Sequence, residues 1–66
     1  MKNYLKQARV KNNLTQSQLA DLARVSRQTI HALEKSIYIP STVLALKLAK
    51  VLSCKVEDLF ELEESD

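Results

Sequence analysis

Sixty-six residues hold one domain, without room for a second, and a chain this short hides only about 60% of the surface its unfolded form exposes. With no glycine and a single proline, Pro40, the sequence lacks the material for a barrel, a glycine-rich phosphate loop or a dinucleotide fingerprint. The net charge is only +2 but lopsided: residues 1–55 hold all ten Lys and Arg against Asp21 and Glu34, a net +8, while residues 56–66 hold six acids and no base, a net −6. A basic body with an acidic end suits a polyanionic partner on one side.

Apolar periodicity predicts five helices, so the expected class is all-α. The first runs from about Asn3 to Lys11, with Leu5, Ala8 and Tyr4 turned inward. Asn12-Asn13 ends it, because asparagine tolerates the left-handed conformation a helix terminus needs. Thr15 caps the second helix, Gln16 to Ala23, with Gln18 as its capping-box partner three residues on. Ser26 caps the third, Arg27 to about Ser36. A loop through Ile37-Tyr38-Ile39 leads to Pro40, and Ser41 caps the fourth helix, which reaches about Leu52. Glu57 and Asp58 fall in the first turn of a fifth, where the helix dipole favours acids. Residues 1–60 are expected to form the folded domain and 61–66 an acidic tail. That tail reads as a solvated end, or as a segment that screens nonspecific polyanion contact or folds over a partner.

The fourth helix is apolar nearly all round. Ala45, Leu48, Ala49 and Leu52 follow the core stripe, while Val43 and Leu46 fall on another face that needs separate cover. A second copy of the chain, meeting through Val43, Leu46, Phe60 and Leu62, would supply it. Cys54 stands alone, so no internal disulfide forms; it reads as a small buried hydrophobe, and a reducing cytoplasm fits. No run approaches the ~18 apolar residues of a membrane span, and no membrane role is expected. One histidine and one cysteine give no metal-ligand spacing, and no activated nucleophile or paired carboxylate points to catalysis. Neither a cofactor nor a small-molecule ligand is implied.

Between Ala23 and Ser26 only about three residues separate two helices. Helices joined so tightly cross steeply, the geometry of the DNA-reading helix-turn-helix. Ala20 supports it, because a close crossing leaves room only for a small side chain. Opposite Ile30 and Leu33, the third helix turns out Arg27, Gln28, Thr29, His31 and Ala32. Arginine offers two donors to guanine O6 and N7, and glutamine a donor and an acceptor to adenine. Arg27 and Gln28 are therefore the candidate base readers. Ala32 is short enough to meet only a thymine methyl or nothing, and His31 reads as a weak base contact or a spectator. Ser26 and Thr29 offer hydroxyls to phosphate.

The runs Leu14-Thr15-Gln16-Ser17-Gln18-Leu19-Ala20 and Val25-Ser26-Arg27-Gln28-Thr29-Ile30 resemble the xenobiotic-response-element family, the group that includes the lambda repressor. Tyr38-Ile39-Pro40-Ser41 and Leu44-Ala45-Leu46-Lys47-Leu48-Ala49 resemble its fourth-helix region, and Val56-Glu57-Asp58-Leu59-Phe60 its fifth helix. The resemblance implies a compact five-helix, lambda-repressor-like DNA-binding domain. It further implies that Gln16 contacts the DNA backbone and that Lys35, Ser36 and Tyr38 lie on a loop skirting it; Tyr38 reads equally as a packed aromatic. At the positions of Arg9 and Glu34 the family forms a buried ion pair. The chain departs from the family where glycine is usual: Asn13 stands at one such place and Arg24 at another, where a left-handed arginine costs on the order of 1 kcal/mol.

The implied function is a transcriptional regulator, a repressor that binds a two-fold DNA operator as a homodimer. The alternative is an antitoxin-like interaction module that neutralises a partner protein through the acidic tail and the fourth helix.

Overall fold

In a computed structural model that describes residues 1–37 and 39–66, the chain forms five helices and one short strand pair. In order these are β1 (Lys2–Asn3), α1 (Leu5–Lys11), α2 (Gln16–Ala23), α3 (Arg27–Glu34), α4 (Thr42–Val51), α5 (Val56–Leu59) and β2 (Phe60–Glu61). Tyr38 lies outside the described residues.

Side-chain chemistry fixes three of the helix starts. Thr15 accepts a hydrogen bond from Gln18 N–H at 3.0 Å while the Gln18 side chain accepts from Thr15 N–H at 2.9 Å, a reciprocal capping box. Ser26 accepts from Thr29 N–H and Ser41 from Leu44 N–H, both at 3.1 Å. At α5 the Asp58 carboxylate accepts from Lys55 N–H at 3.0 Å.

Four helices stop in the same way. Asn13, Arg24, Ser36 and Ser53 have φ between 54° and 58°, or 59° for Arg24. Each is followed by a residue whose N–H reaches back to a carbonyl five positions earlier: Leu14 to Arg9, Val25 to Ala20, Ile37 to Ala32 and Cys54 to Ala49, at 2.9–3.1 Å. This satisfies carbonyls that the helix leaves open. Leu14, Val25 and Cys54 then fold onto the core, so three of the four stops also bury apolar surface.

The core gathers Leu5, Leu19, Ile30, Leu33, Leu48 and Leu59, all fully buried. Each removes enough apolar area to contribute about 1.5–3 kcal/mol. Leu5, from α1, and Leu59, from α5, carry both ends of the chain into that core, while α2 and α3 cross over Ala20 and Ala23. Ala45, Leu48, Ala49 and Leu52 form the buried stripe of α4, joined by Leu44.

Local differences from the sequence-based expectation lie at the two ends. Asn3 is in β1, not in the first helix: Lys2 pairs with Glu61 and Asn3 with Phe60, antiparallel. Helix α1 therefore begins at Leu5, with Tyr4 N–H held by the Leu59 carbonyl at 2.8 Å. Tyr4 is exposed, its hydroxyl donating to Glu61 at 3.2 Å, because the strand pairing turns it out of the core. Phe60 packs partly against the core from β2 and so is only half-buried. Helix α3 ends at Glu34, since Ser36 takes the left-handed turn. Residues 61–66 run back along the amino-terminal residues. The Met1 ammonium lies 3.0 Å from both Glu63 and Asp66, which raises its pKa above the ordinary 8.0. Among the described residues, no helix is long and apolar enough to cross a membrane.

Candidate nucleic-acid interface

Helix α3 presents two sides of opposite character. Ile30 and Leu33 are buried and fix the helix to the core, while Arg27, Gln28 and His31 are exposed. That orientation follows from the Ser26 cap, which sets where the helix starts, and from the close crossing with α2. The Ser26 and Thr29 hydroxyls lie 3.0 Å apart at the helix start. Among the described residues, Gln28 and His31 make no side-chain hydrogen bond, so both edges of the Gln28 amide face solvent. Ala32 is half-buried, its carbonyl accepting from Ile37 N–H. Lys35 and Ser36 follow the helix. Lys35 is exposed, but the Ser36 hydroxyl is already engaged, accepting from the Asn3 amide at 2.9 Å. That same amide donates to the Leu33 carbonyl at 2.7 Å. Tyr38, the remaining residue of the expected backbone-skirting loop, lies outside the described residues.

Beside α3 a shallow cleft of about 390 Å³ is lined by Arg9, Gln16, Arg27, His31, Glu34 and Lys35, with Lys6 at its rim. Its floor is an ion pair. Arg9 Nε donates to Glu34 at 2.6 Å and Nη2 to the other carboxylate oxygen at 3.3 Å. The two side chains are only 11% and 4% exposed. Arg9 Nη1 also donates to the Leu14 carbonyl at 2.7 Å, so one guanidinium ties α1, the turn before α2, and the end of α3. Among the described residues, no buried side-chain polar atom lacks a partner, which is the condition under which a buried charge pair is tolerable.

Two features of this cleft are absent from the sequence-based expectation. Gln16 is not a free group on the surface: its amide donates to Glu34 at 3.1 Å and accepts from Arg27 Nη1 at 3.2 Å. Lys6 joins the basic rim because it lies one turn before Arg9 on α1, a spacing of three that sequence alone displays. The bond between Gln16 and Arg27 has no such signal, since it exists only once α2 and α3 have crossed.

The face is suited to binding, with exposed donors in Arg27, Lys35 and Lys6 and an adaptable amide in Gln28. Among the described residues, no group of three His, Cys, Asp or Glu side chains is placed to hold a metal ion. Cys54 is half-buried away from this face, and burial pushes its thiol pKa above the ordinary 9.0, Asp58 adding to the rise and Lys11 opposing it.

Comparison with known proteins agrees with this geometry. The helix-turn-helix family model matches residues 5–59. The HTH-type transcriptional regulator MJ0272 of Methanocaldococcus jannaschii is 52% identical over 66 residues, and the HTH-type transcriptional regulator YgzD of Bacillus subtilis 46%; each alignment covers all of both chains. Among solved structures, the clp gene regulator ClgR from Corynebacterium glutamicum superposes with a TM-score of 0.77 at 28% identity. That match covers 82% of this chain and 57% of the other, so the chain spans little more than half of the ClgR chain. With a family model spanning all five of its helices and relatives alike from end to end, the chain belongs to the helix-turn-helix family of the xenobiotic-response-element type.

Proposed function

We infer that this helix-turn-helix protein, a DNA-binding transcription regulator, is a repressor that reads an operator's major groove with α3. The observation that carries the reading is the exposed start of α3, where Arg27 and Gln28 project beside the basic rim of Lys6 and Lys35. Arg27 reads guanine and Gln28 adenine, with Ala32 and His31 as lesser base contacts. Gln16, Ser26, Thr29, Lys35 and Ser36 hold phosphate and set the register. Repression follows from occupancy, as the bound domain occludes a promoter. Its place is then the cytoplasm, where the chromosome lies.

The regulator works as a homodimer on a two-fold operator. Support comes from apolar surface on the side of α4 that the core leaves open. Val43 and Leu46 are 63% and 57% exposed, and Leu62 79%. Leu46 also lines a groove of about 430 Å³ with Ile39, Pro40, Val56 and Phe60. Two recognition helices related by a two-fold axis would lie about 34 Å apart, so half-sites should be centred about ten base pairs apart. The antitoxin-like alternative would use the acidic tail, whose Glu61, Glu63 and Asp66 are here paired with Tyr4 and Met1 of the same chain.

Selection of bound duplexes from a random pool tests the whole reading. A symmetric motif should emerge, and Arg27→Ala and Gln28→Ala should each cost about 1–3 kcal/mol and relax one base position per half-site. A motif unchanged by both substitutions would refute the assignment. No selected duplex at all, with a tight protein partner instead, would reverse it in favour of the interaction module.

A further inference from the structure

We propose that Glu34 is a positioning residue for base reading, acting through Gln16 on Arg27; the proposal rests on the reading of Arg27 as a base contact. Beyond its structural pairing with Arg9, Glu34 ends a chain of hydrogen bonds that leads from the buried floor of the cleft to the exposed helix face. Arg9 grips the Glu34 carboxylate through Nε and Nη2, at 2.6 and 3.3 Å. Glu34 Oε1 accepts from Gln16 Nε2 at 3.1 Å. Gln16 Oε1 accepts from Arg27 Nη1 at 3.2 Å.

The direction of this chain is dictated by its buried end. A glutamine amide has two edges of nearly the same shape and opposite polarity, and by itself it turns either way. An ionised carboxylate only accepts, so Gln16 must offer it Nε2. The carbonyl oxygen of Gln16 is thereby aimed at α3, where only a donor suits it, and Arg27 supplies one. Glu34 cannot swing away, because its side chain is 4% exposed and held by Arg9. The guanidinium of Arg27 is thus ordered before DNA arrives. One of its five N–H groups is spent on Gln16, and four remain for a guanine edge or a phosphate. One N–H of Gln16 likewise remains for the backbone. Without Glu34 the Gln16 amide loses its fixed end, and its carbonyl is no longer held toward Arg27. That arginine is then left to be ordered on binding, at the expense of a long flexible side chain.

The test compares the duplex preferences of five proteins: wild type, Arg27→Ala, Gln28→Ala, the double variant Arg9→Met/Glu34→Met, and that double variant combined with Arg27→Ala. The double variant removes both buried charges together, so neither is left unpaired, and circular dichroism establishes that it is folded. The base position that relaxes in Arg27→Ala marks where Arg27 reads. At that position the double variant should lose about two- to tenfold in preference, the scale of one side chain no longer pre-ordered. The position that relaxes in Gln28→Ala should keep its preference, and the double change should add nothing in the Arg27→Ala background. A merely structural role for Glu34 would leave all preferences intact or lower affinity for every duplex alike, and either result overturns the proposal. If Arg27→Ala itself relaxes no position, the base-reading assignment has failed, and the positioning role falls with it. Should the double variant prove unfolded, Gln16→Met severs the chain without touching the ion pair. It must then relax the Arg27 position as well as weaken binding; uniform weakening with preference intact overturns the proposal.

Discussion

Replacing Glu34 with alanine should come close to unfolding the domain, and the cleft geometry says why. The substitution strips Arg9 of its acceptors at 2.6 and 3.3 Å and leaves it only the Leu14 carbonyl at 2.7 Å. The Arg9 side chain is 11% exposed, so water does not readily take the place of the lost carboxylate. A buried charge abandoned in this way costs about 3–5 kcal/mol. A domain of this length, at about 0.05–0.15 kcal/mol per residue, holds roughly 3–10 kcal/mol in all. The melting temperature should fall by at least about 12 °C, taking about 4–8 °C per kcal/mol for a small domain. Arg9→Met/Glu34→Met should be about as stable as wild type, or up to about 4 kcal/mol more stable, because it removes the charge together with its partner. Urea titrations followed by circular dichroism at equal protein concentration compare the two. If Glu34→Ala costs under about 1 kcal/mol, or the double variant is as unstable as the single one, water reaches the Arg9 guanidinium and the pair does not behave as a buried one.

Leu46→Glu places a charge on the open side of α4 and should give a folded monomer with much weaker operator binding, as one half-site no longer holds the other nearby; light scattering shows the mass, and a wild type that stays monomeric at high micromolar concentration ends the dimer reading. Arg24→Gly and Ser53→Gly should each stabilise by about 0.5 kcal/mol. That is the left-handed strain of about 1–2 kcal/mol less the extra freedom of about 0.5–1 kcal/mol that glycine gives the unfolded chain. Loss of stability in thermal melts of the Arg24→Gly/Ser53→Gly variant would show that the native side chains contribute contacts of their own. Cys54 supplies a pH dependence. Its pKa is higher in the folded chain than its ordinary 9.0, so the folded state holds a proton that the unfolded state gives up. The stability from this group is complete below pH 9.0 and declines as pH rises through the folded value. Cys54→Ala should flatten that alkaline decline in urea titrations, and an unchanged slope would mean the thiol has the same pKa folded and unfolded.

Helix count and the starts of α2, α3 and α4 were legible because their chemistry is local. Thr15, Ser26 and Ser41 announce themselves by residue type and by the helical pattern that begins just after them, and each is a working cap. Ala20 marks the crossing for a similar reason: only a small residue fits there. Two of the four left-handed stops were also legible, Asn13 from its chemistry and Arg24 from its place in the motif. Ser36 and Ser53 were not, because nothing about serine distinguishes a helix stop from a turn or a cap. The strand pair was invisible for a different reason. Two residues have no periodicity, and Lys2 meets Glu61 across nearly the whole chain, so no window of sequence contains both partners. On the recognition face, periodicity separated Arg27, Gln28 and His31 from Ile30 and Leu33. The links behind that face, from Glu34 through Gln16 to Arg27, depend on how α2 and α3 meet in space and leave no mark in spacing.

The pairing of Lys2–Asn3 with Phe60–Glu61 also sets an order of events in folding. Bringing those segments together closes a loop of nearly the full chain, at an entropic cost that only earlier contacts can offset. The α2–α3 unit is separated by a short turn and needs no such closure. The clasp should therefore form late and open first, leaving the recognition helices folded while the ends come loose. In hydrogen exchange the Tyr4 amide, held by the Leu59 carbonyl across the clasp, would be exchanged well before the Val25 amide held by Ala20. A small domain of this kind carries its least durable contacts at the seam where head meets tail, and its most durable ones behind the surface it offers to DNA.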